Sequence, residues 1–325
     1  MKKVVGFLTI ALVALTVASA QPMYEQRLAN EPVQANIAVM AGPTGFSSVA
    51  LSFDEGKIND SVVANLTVYP SPNEVIARLA NGELDFACLP TNVAANMYNK
   101  GVKVKIAAVV GNGMLSVLCS DGSVSDYTGL LGKSVNIPDV GSTPDQLAKL
   151  LLMKAGLEAG KDVVLDYSVA SPIQIAQMLI AGKISLAMLP QPFVSMVMAK
   201  NPKIKIVADI QELYSKVAGV DNYPMSVFVV TDKFVQAYPL ATQSILDAYK
   251  ASVAWVNANP AEAGQAIEKI GIMKAALATP AIPYCNLVYV SSQEAKPQVQ
   301  AYFKSLYSFS PASIGGSMPS DDLYL

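Results

Sequence analysis

The sequence predicts an α/β protein built from two similar Rossmann-like lobes with a ligand cleft between them. Three observations carry this expectation. The stretch Ser71–Ala108 (SPNEVIARLANGELDFACLPTNVAANMYNKGVKVKIAA) is written again, 100 residues later and without a gap, as Ser171–Ala208 (SPIQIAQMLIAGKISLAMLPQPFVSMVMAKNPKIKIVA), with 12 of 38 positions identical. Each copy alternates helical and strand patterns, as α/β folds with mainly parallel sheets do. The 325 residues are 52% hydrophobic and only 15% charged, enough apolar material for two ordinary cores.

Within each copy the physics repeats. Ser71 or Ser171 is placed as a helix N-cap, followed by proline at the tolerated first position. Val75, Ile76 and Leu79, then Ile175, Met178 and Leu179, recur at helical spacing. Gly82 and Gly182 stop those helices. Short apolar strands follow and end at Pro90 and Pro190, where a second helix begins before a final strand, Val104–Val110 or Ile204–Ala208. Two copies of this length suit two lobes rather than a solenoid.

The remaining segments fit around the copies. Ala35–Met40 and Lys133–Ile137 read as the first strands of the two halves, the second leading into a helix with Leu147, Leu150, Leu151 and Lys154 in amphipathic order. Met114–Cys119 and Met225–Thr231 read as strands crossing between lobes. The helical stretch Pro239–Asn257 and the tail from Ile282 are expected to return to the first lobe. The expected division is residues 34–115 plus 228–325 for lobe 1 and 116–227 for lobe 2. Residues 1–20, with Lys2 and Lys3, the apolar run Val4–Val17 and Ala18-Ser19-Ala20, have the pattern of a secretory signal peptide cleaved near Ala20.

Composition excludes much chemistry. The chain has no histidine, which removes the commonest general base, the Ser-His-Asp and Cys-His arrangements and most transition-metal sites. Cys88, Cys119 and Cys285 are too far apart in sequence for a compact metal cluster or a CxxC pair and read as buried thiols. Neither a metal nor a cofactor is expected. Of 23 basic residues, Lys2 and Lys3 fall in the signal segment, so 21 stand against 25 acidic ones, a net charge of −4. Only Arg27 and Arg78 are arginines, a poor match for nucleic acid or an anionic membrane.

In open α/β sheets, ligands sit beyond the carboxyl ends of strands, where loops meet helix N-termini. Four loops satisfy that rule. Thr44, Gly45, Phe46 and Ser47 follow the first strand, and Gly141, Ser142 and Thr143 follow its counterpart. Thr91 and Asn92 lie in the strand-end loop of one copy, Gln191 and Phe193 in the equivalent loop of the other, and Tyr223 lies near the second crossing. Hydroxyls, amides and helix N-termini are expected to hold a polar edge, and Phe46, Phe193 or Tyr223 an apolar face. Each loop also reads as an ordinary helix cap.

The segments AGPTGFSS, GELDFACLPTN, GSTPDQLAKLLLMKAGL, GKISLAMLPQPFV and YPMSVFVVTDKF occur in an order that resembles periplasmic solute-binding proteins of ABC transporters. The similar branch serves nitrate, sulfonate, taurine and thiamine-pyrimidine precursors and is related to eukaryotic thiamine-pyrimidine synthases. The resemblance, from Gln34 to the C-terminus, implies the type II binding-protein fold, closure around a solute, and delivery to a membrane permease and ATPase by a periplasmic monomer. Two departures matter. The loops named above contain no arginine or lysine, unlike many sulfonate and nitrate binders, and the histidine used by the synthases is missing. The expected solute is therefore small, neutral or weakly anionic, and aromatic or heterocyclic. Two alternatives stay open: a histidine-free lyase using Asp145 or Ser142, and the sensor subunit of a signalling receptor.

Overall fold

The computed structural model describes residues 31–70 and 72–325. The expected signal segment and the Ser71 cap lie outside these residues. The first half runs β1 (Val33–Met40), α1 (Pro43–Ser47), β2 (Lys57–Asn59), β3 (Val62–Tyr69), α2 (Pro72–Ala80), β4 (Phe86–Pro90), α3 (Thr91–Asn99) and β5 (Val104–Asn112). The second runs β6 (Leu115–Cys119), β7 (Ser134–Asn136), α4 (Thr143–Lys154), β8 (Val164–Asp166), α5 (Pro172–Ile180), β9 (Leu186–Pro190), α6 (Phe193–Lys200), β10 (Lys205–Asp209) and α7 (Ile210–Ala218). The chain then returns through β11 (Pro224–Thr231), α8 (Asp232–Ala237), α9 (Pro239–Ala258), α10 (Pro260–Lys269), α11 (Ala275–Ala281), β12 (Leu287–Ser291) and α12 (Ser292–Phe309).

The repeat is thus realised element for element. Gly82 and Gly182 take left-handed φ values of 74° and 68° just past α2 and α5, a conformation that costs glycine nothing. Behind each, a backbone pair closes the helix end: Gly82 N–H to Leu79 and Glu83 N–H to Arg78, then Gly182 N–H to Leu179 and Lys183 N–H to Met178. Ser171 occupies the N-cap position of α5, but its side chain makes no capping hydrogen bond. There Pro172 sets the start through its fixed φ.

Two sheets result, ordered β12-β5-β11-β4-β1-β3-β2 and β10-β6-β9-β7-β8. Their centres correspond: β3-β1-β4-β11-β5 in one matches β8-β7-β9-β6-β10 in the other. In each, a strand arriving from the opposite half is inserted antiparallel, β11 between β4 and β5, β6 between β9 and β10. The expected crossing strands are therefore the elements that tie the halves together. Because of them the sheets are mixed rather than mainly parallel. Among the described strands four pairings are parallel and six antiparallel.

The core lies on both faces of these sheets. Along β11, Val227 and Val229 join one buried cluster, and Phe228 and Val230 the other, as the two-residue side-chain period of a strand requires. Full burial of a side chain such as Phe228 stabilises the fold by roughly 1.5–3 kcal/mol. The C-terminal tail completes the first sheet. Strand β12 pairs with β5, and Leu325 N–H bonds the Ile106 carbonyl on the same strand. All three cysteines are free and buried, and burial pushes the Cys88 thiol up to about 12.

Candidate functional site

The carboxyl ends of β1, β4, β7 and β9 converge on a cavity of about 110 Å³ between the two sheets. Its wall is built from the repeat. Five pairs of lining residues stand 100 positions apart: Gly42 with Ser142, Pro43 with Thr143, Thr44 with Pro144, Pro72 with Pro172, and Pro90 with Pro190. Met114 and Met225, one at each crossing of the chain between sheets, close the hinge side.

The chemistry of this wall is unusual. Eight of its 19 residues are prolines, and proline has no N–H to donate. Pro43, Pro72, Pro144 and Pro172 occupy the first turns of α1, α2, α4 and α5. Each therefore removes one donor from a helix end that would otherwise offer it to an anion. Met40, Phe193 and the two crossing methionines add apolar surface. None of the described lining residues is a lysine or arginine.

The polar groups are few and mostly engaged. Thr44 Oγ1 donates to the Met40 carbonyl and accepts the Met40 N–H. Ser142 Oγ donates to the Asp139 carbonyl at 2.6 Å. Thr143 Oγ1 donates to Asn92 Oδ1 at 3.1 Å and lies 3.3 Å from the Met225 carbonyl. Asp139 is different. It is half-buried, its Oδ1 is shielded from solvent, and that oxygen has no hydrogen-bond partner among the described residues. Its backbone is left-handed, φ 53°, a region that aspartate tolerates better than most residues. Burial alone raises its carboxyl to about 6.

Of the sequence-predicted residues, Thr44, Ser142, Thr143 and Phe193 line the cavity. The others serve it from behind or belong elsewhere. Asn92 reaches across from α3, donating to the Gly141 carbonyl at 2.7 Å, and its amide also approaches the Ser313 carbonyl at 3.4 Å. Gly141 accepts that bond, and its N–H donates to Asp145 Oδ2. Gln191 Oε1 accepts from the Ser195 N–H and hydroxyl, capping the start of α6. Thr91 is fully buried at the start of α3. Phe46 and Tyr223 do not line the cavity: both are fully buried core residues. Phe46 points from α1 into a buried apolar cluster, and Tyr223 packs edge-on to Tyr214 and stacks on Tyr302. Gly45 is also absent from the lining, and a Cβ there would meet Ile272 and the Met40 carbonyl. Ser47 turns inward to the Tyr249 hydroxyl at 2.7 Å. Phe46 and Ser47 thus share α1 with Thr44 yet direct their side chains into the core.

Sequence reasoning passed over Asp139 and the prolines. Asp139 stands two residues before Gly141 in a loop already singled out, and a lone carboxylate among Pro138, Val140 and glycine was the available signal.

Two lobes joined by two crossings, with a cleft formed by matching strand-end loops, define a solute-binding-protein fold. The structure aligns with an ABC transporter protein from Parabacteroides distasonis at 27% identity and TM-score 0.74, covering 90% of this chain and 98% of that one. It aligns with the periplasmic aliphatic sulphonate binding protein of Escherichia coli at 14% identity and TM-score 0.71, covering 90% and 91%. The periplasmic nitrate-binding protein of Synechocystis PCC 6803 aligns at 16% identity and TM-score 0.58, covering 73% and 66%. A family model for NMT1-like proteins matches residues 29–271, and the chain belongs to the NMT1-like family. No protein of curated function matches the chain. No helix among the described residues is long and apolar enough to cross a membrane.

Proposed function

We propose that this protein is an extracytoplasmic solute-binding protein. It captures a small solute with a largely apolar body and hands it to the permease and ATPase of an ABC importer. The observation that carries the reading is the repeat-built cavity, in which matching loops of both halves face one shared cleft. Ligand burial between two lobes is the common mode of such clefts. Thr44, Ser142, Thr143 and Phe193 are the proposed solute contacts. Residues 34–115 with 228–325, and 116–227, are the proposed lobes of a monomer exported by its N-terminal segment.

The character of the wall narrows the solute. A proline-rich lining without basic side chains offers little to a sulfonate or nitrate, whatever the more distant structural neighbours bind. The carboxylate of Asp139 also weighs against the weakly anionic solute expected from sequence. An aromatic or heterocyclic body would suit Phe193 and the methionines.

The lyase alternative loses its residues. Asp145 is buried and its oxygens already accept from Gly141 N–H, the Lys149 ammonium and the Tyr167 hydroxyl. The Ser142 hydroxyl is directed to the backbone carbonyl of Asp139 rather than to a base. Thermal melting against a broad panel of metabolites tests the receptor reading. A one-site ligand at about 100 times its Kd adds about 2.7 kcal/mol. A silent panel, with no heat in calorimetry, would remove its support, and conversion of a bound ligand to product would favour an enzyme.

A further inference from the structure

The cavity contains one group that the apolar reading leaves without a role. Four of the polar residues on its wall are hydroxyl-bearing, and Thr44, Ser142 and Thr143 already direct their hydroxyls to protein acceptors. Asp139 brings the only carboxylate among the described lining residues, and no lysine or arginine lines the cavity with it. Its Oδ1 is shielded from water and receives no hydrogen bond from the described residues.

A buried carboxylate oxygen without a donor is costly, and folded proteins pair such groups. The loop spends considerable geometry on holding it there. The backbone is left-handed at Asp139 and again at Gly141, φ 81°. The Asp139 carbonyl is held by the Ser142 N–H at 3.0 Å and by the Ser142 hydroxyl. Asp145, the next carboxylate along the chain, in the first turn of α4, is by contrast fully paired with Lys149, Tyr167 and Gly141. The protein therefore pairs the carboxylate in the first turn of α4 and leaves Oδ1 of the one on the cavity wall without a donor.

We infer that Asp139 is the specificity residue of this site, and that the solute is a compact organic amine. The protonated nitrogen donates to the Asp139 carboxylate while the hydrocarbon body lies against Phe193, Met114, Met225 and the prolines. This rests on the solute-binding reading proposed above and gives its ligand a chemical class. It reverses the charge preference suggested by the sulphonate- and nitrate-binding neighbours. A carboxylate that repels anions rejects them, and a donor-poor wall cannot compensate.

The test uses calorimetric titration of the purified protein and its Asp139→Asn variant with benzylamine and cyclohexylamine as probes. Benzyl alcohol, cyclohexanol, benzoate and benzenesulfonate serve as shape-matched controls. The expected result is binding of the amines alone, weakened by about 30-fold or more in Asp139→Asn, as loss of a buried charged partner entails. Circular dichroism melting confirms that the variant is folded, and Asp139→Ser provides a second removal of charge. Alcohols or acids binding as well as the amines, with equal affinity in the variants, would overturn the assignment of Asp139 while leaving a solute-binding protein. Silence of the amines while other members of the metabolite panel bind would overturn it in the same way. Silence of both panels would overturn the binding-protein reading together with it.

Discussion

Asn92 and Gly141, from opposite halves of the chain, are joined across the cleft by a 2.7 Å hydrogen bond from the Asn92 amide to the Gly141 carbonyl. The same side chain accepts the Thr143 hydroxyl at 3.1 Å. One asparagine thus holds the loop of the second lobe to α3 of the first, next to the cavity. Asn92→Ala removes both bonds, each contributing about 1 kcal/mol, together with the longer approach to the Ser313 carbonyl. Solute affinity should fall about tenfold or more and the radius of gyration in solution should rise as the lobes part. The fold should persist, because Asn96 and Asn99 still bind the tail at Ala312, Ile314 and Ser317. Unchanged scattering and unchanged affinity would reduce Asn92 to a local packing residue.

Asp145 holds the same loop from beneath. Its carboxylate accepts the Gly141 N–H at 2.8 Å, the Lys149 ammonium at 2.9 Å and the Tyr167 hydroxyl at 2.6 Å. Burial, aided by Asp145, keeps the Tyr167 phenol well above the ordinary tyrosine range. Asp145→Asn leaves the ammonium and hydroxyl competing for one amide oxygen and should destabilise the protein by about 2–4 kcal/mol. Urea unfolding measures this. Wild-type stability in the variant would rule out the clamp.

Much of this arrangement was legible because its signals are local. Pro172 starts a helix and Gly182 ends one wherever the neighbouring residues permit, so the repeat could be converted into elements. Strand direction was not legible. An apolar run such as Ser226–Val230 has the same pattern whether its neighbours run parallel or antiparallel, and only the crossing of β11 into the first sheet decides it. Side-chain direction at the loops was equally hidden. Thr44 and Phe46 lie two residues apart on one short helix, yet Thr44 meets the cavity and Phe46 the core. Pro90 and Pro190 read as scaffold because they end strands, and in three dimensions they are also wall.

Gly45 shows how the two roles can be separated. Alanine in place of a helical glycine ordinarily stabilises by about 0.5–1 kcal/mol. Here the added Cβ would stand 2.6 Å from Ile272 Cδ1 and 2.7 Å from the Met40 carbonyl oxygen. The carbonyl belongs to β1 and cannot swing away as a side-chain end can. Overpacking should therefore win, with Gly45→Ala destabilising by about 1–3 kcal/mol in urea unfolding. A stabilised variant would show that β1 and α1 separate easily and that this junction is softer than its packing implies.

The carboxyl of Asp139 should also leave a mark on the stability of the ligand-free protein. Burial raises it to about 6, and no neighbouring charge contributes to the shift. In the unfolded chain it titrates near ~3.9. Between those values the native carboxyl keeps a proton that the unfolded chain has released, so stability falls as pH rises through this window and levels off above it. The difference corresponds to at most ~3 kcal/mol, and the partial exposure of Asp139 reduces this to ~1–2 kcal/mol. Asp139→Asn, which keeps the shape and accepts the left-handed backbone, abolishes the ionisation. At pH 7.5 the variant should be the more stable protein by about 1–2 kcal/mol, and near pH 4 the two should agree. Urea unfolding at both values reads the effect directly. A variant no more stable at pH 7.5 would mean that the carboxylate is already satisfied in the ligand-free protein, leaving no unmet need for a solute to fill.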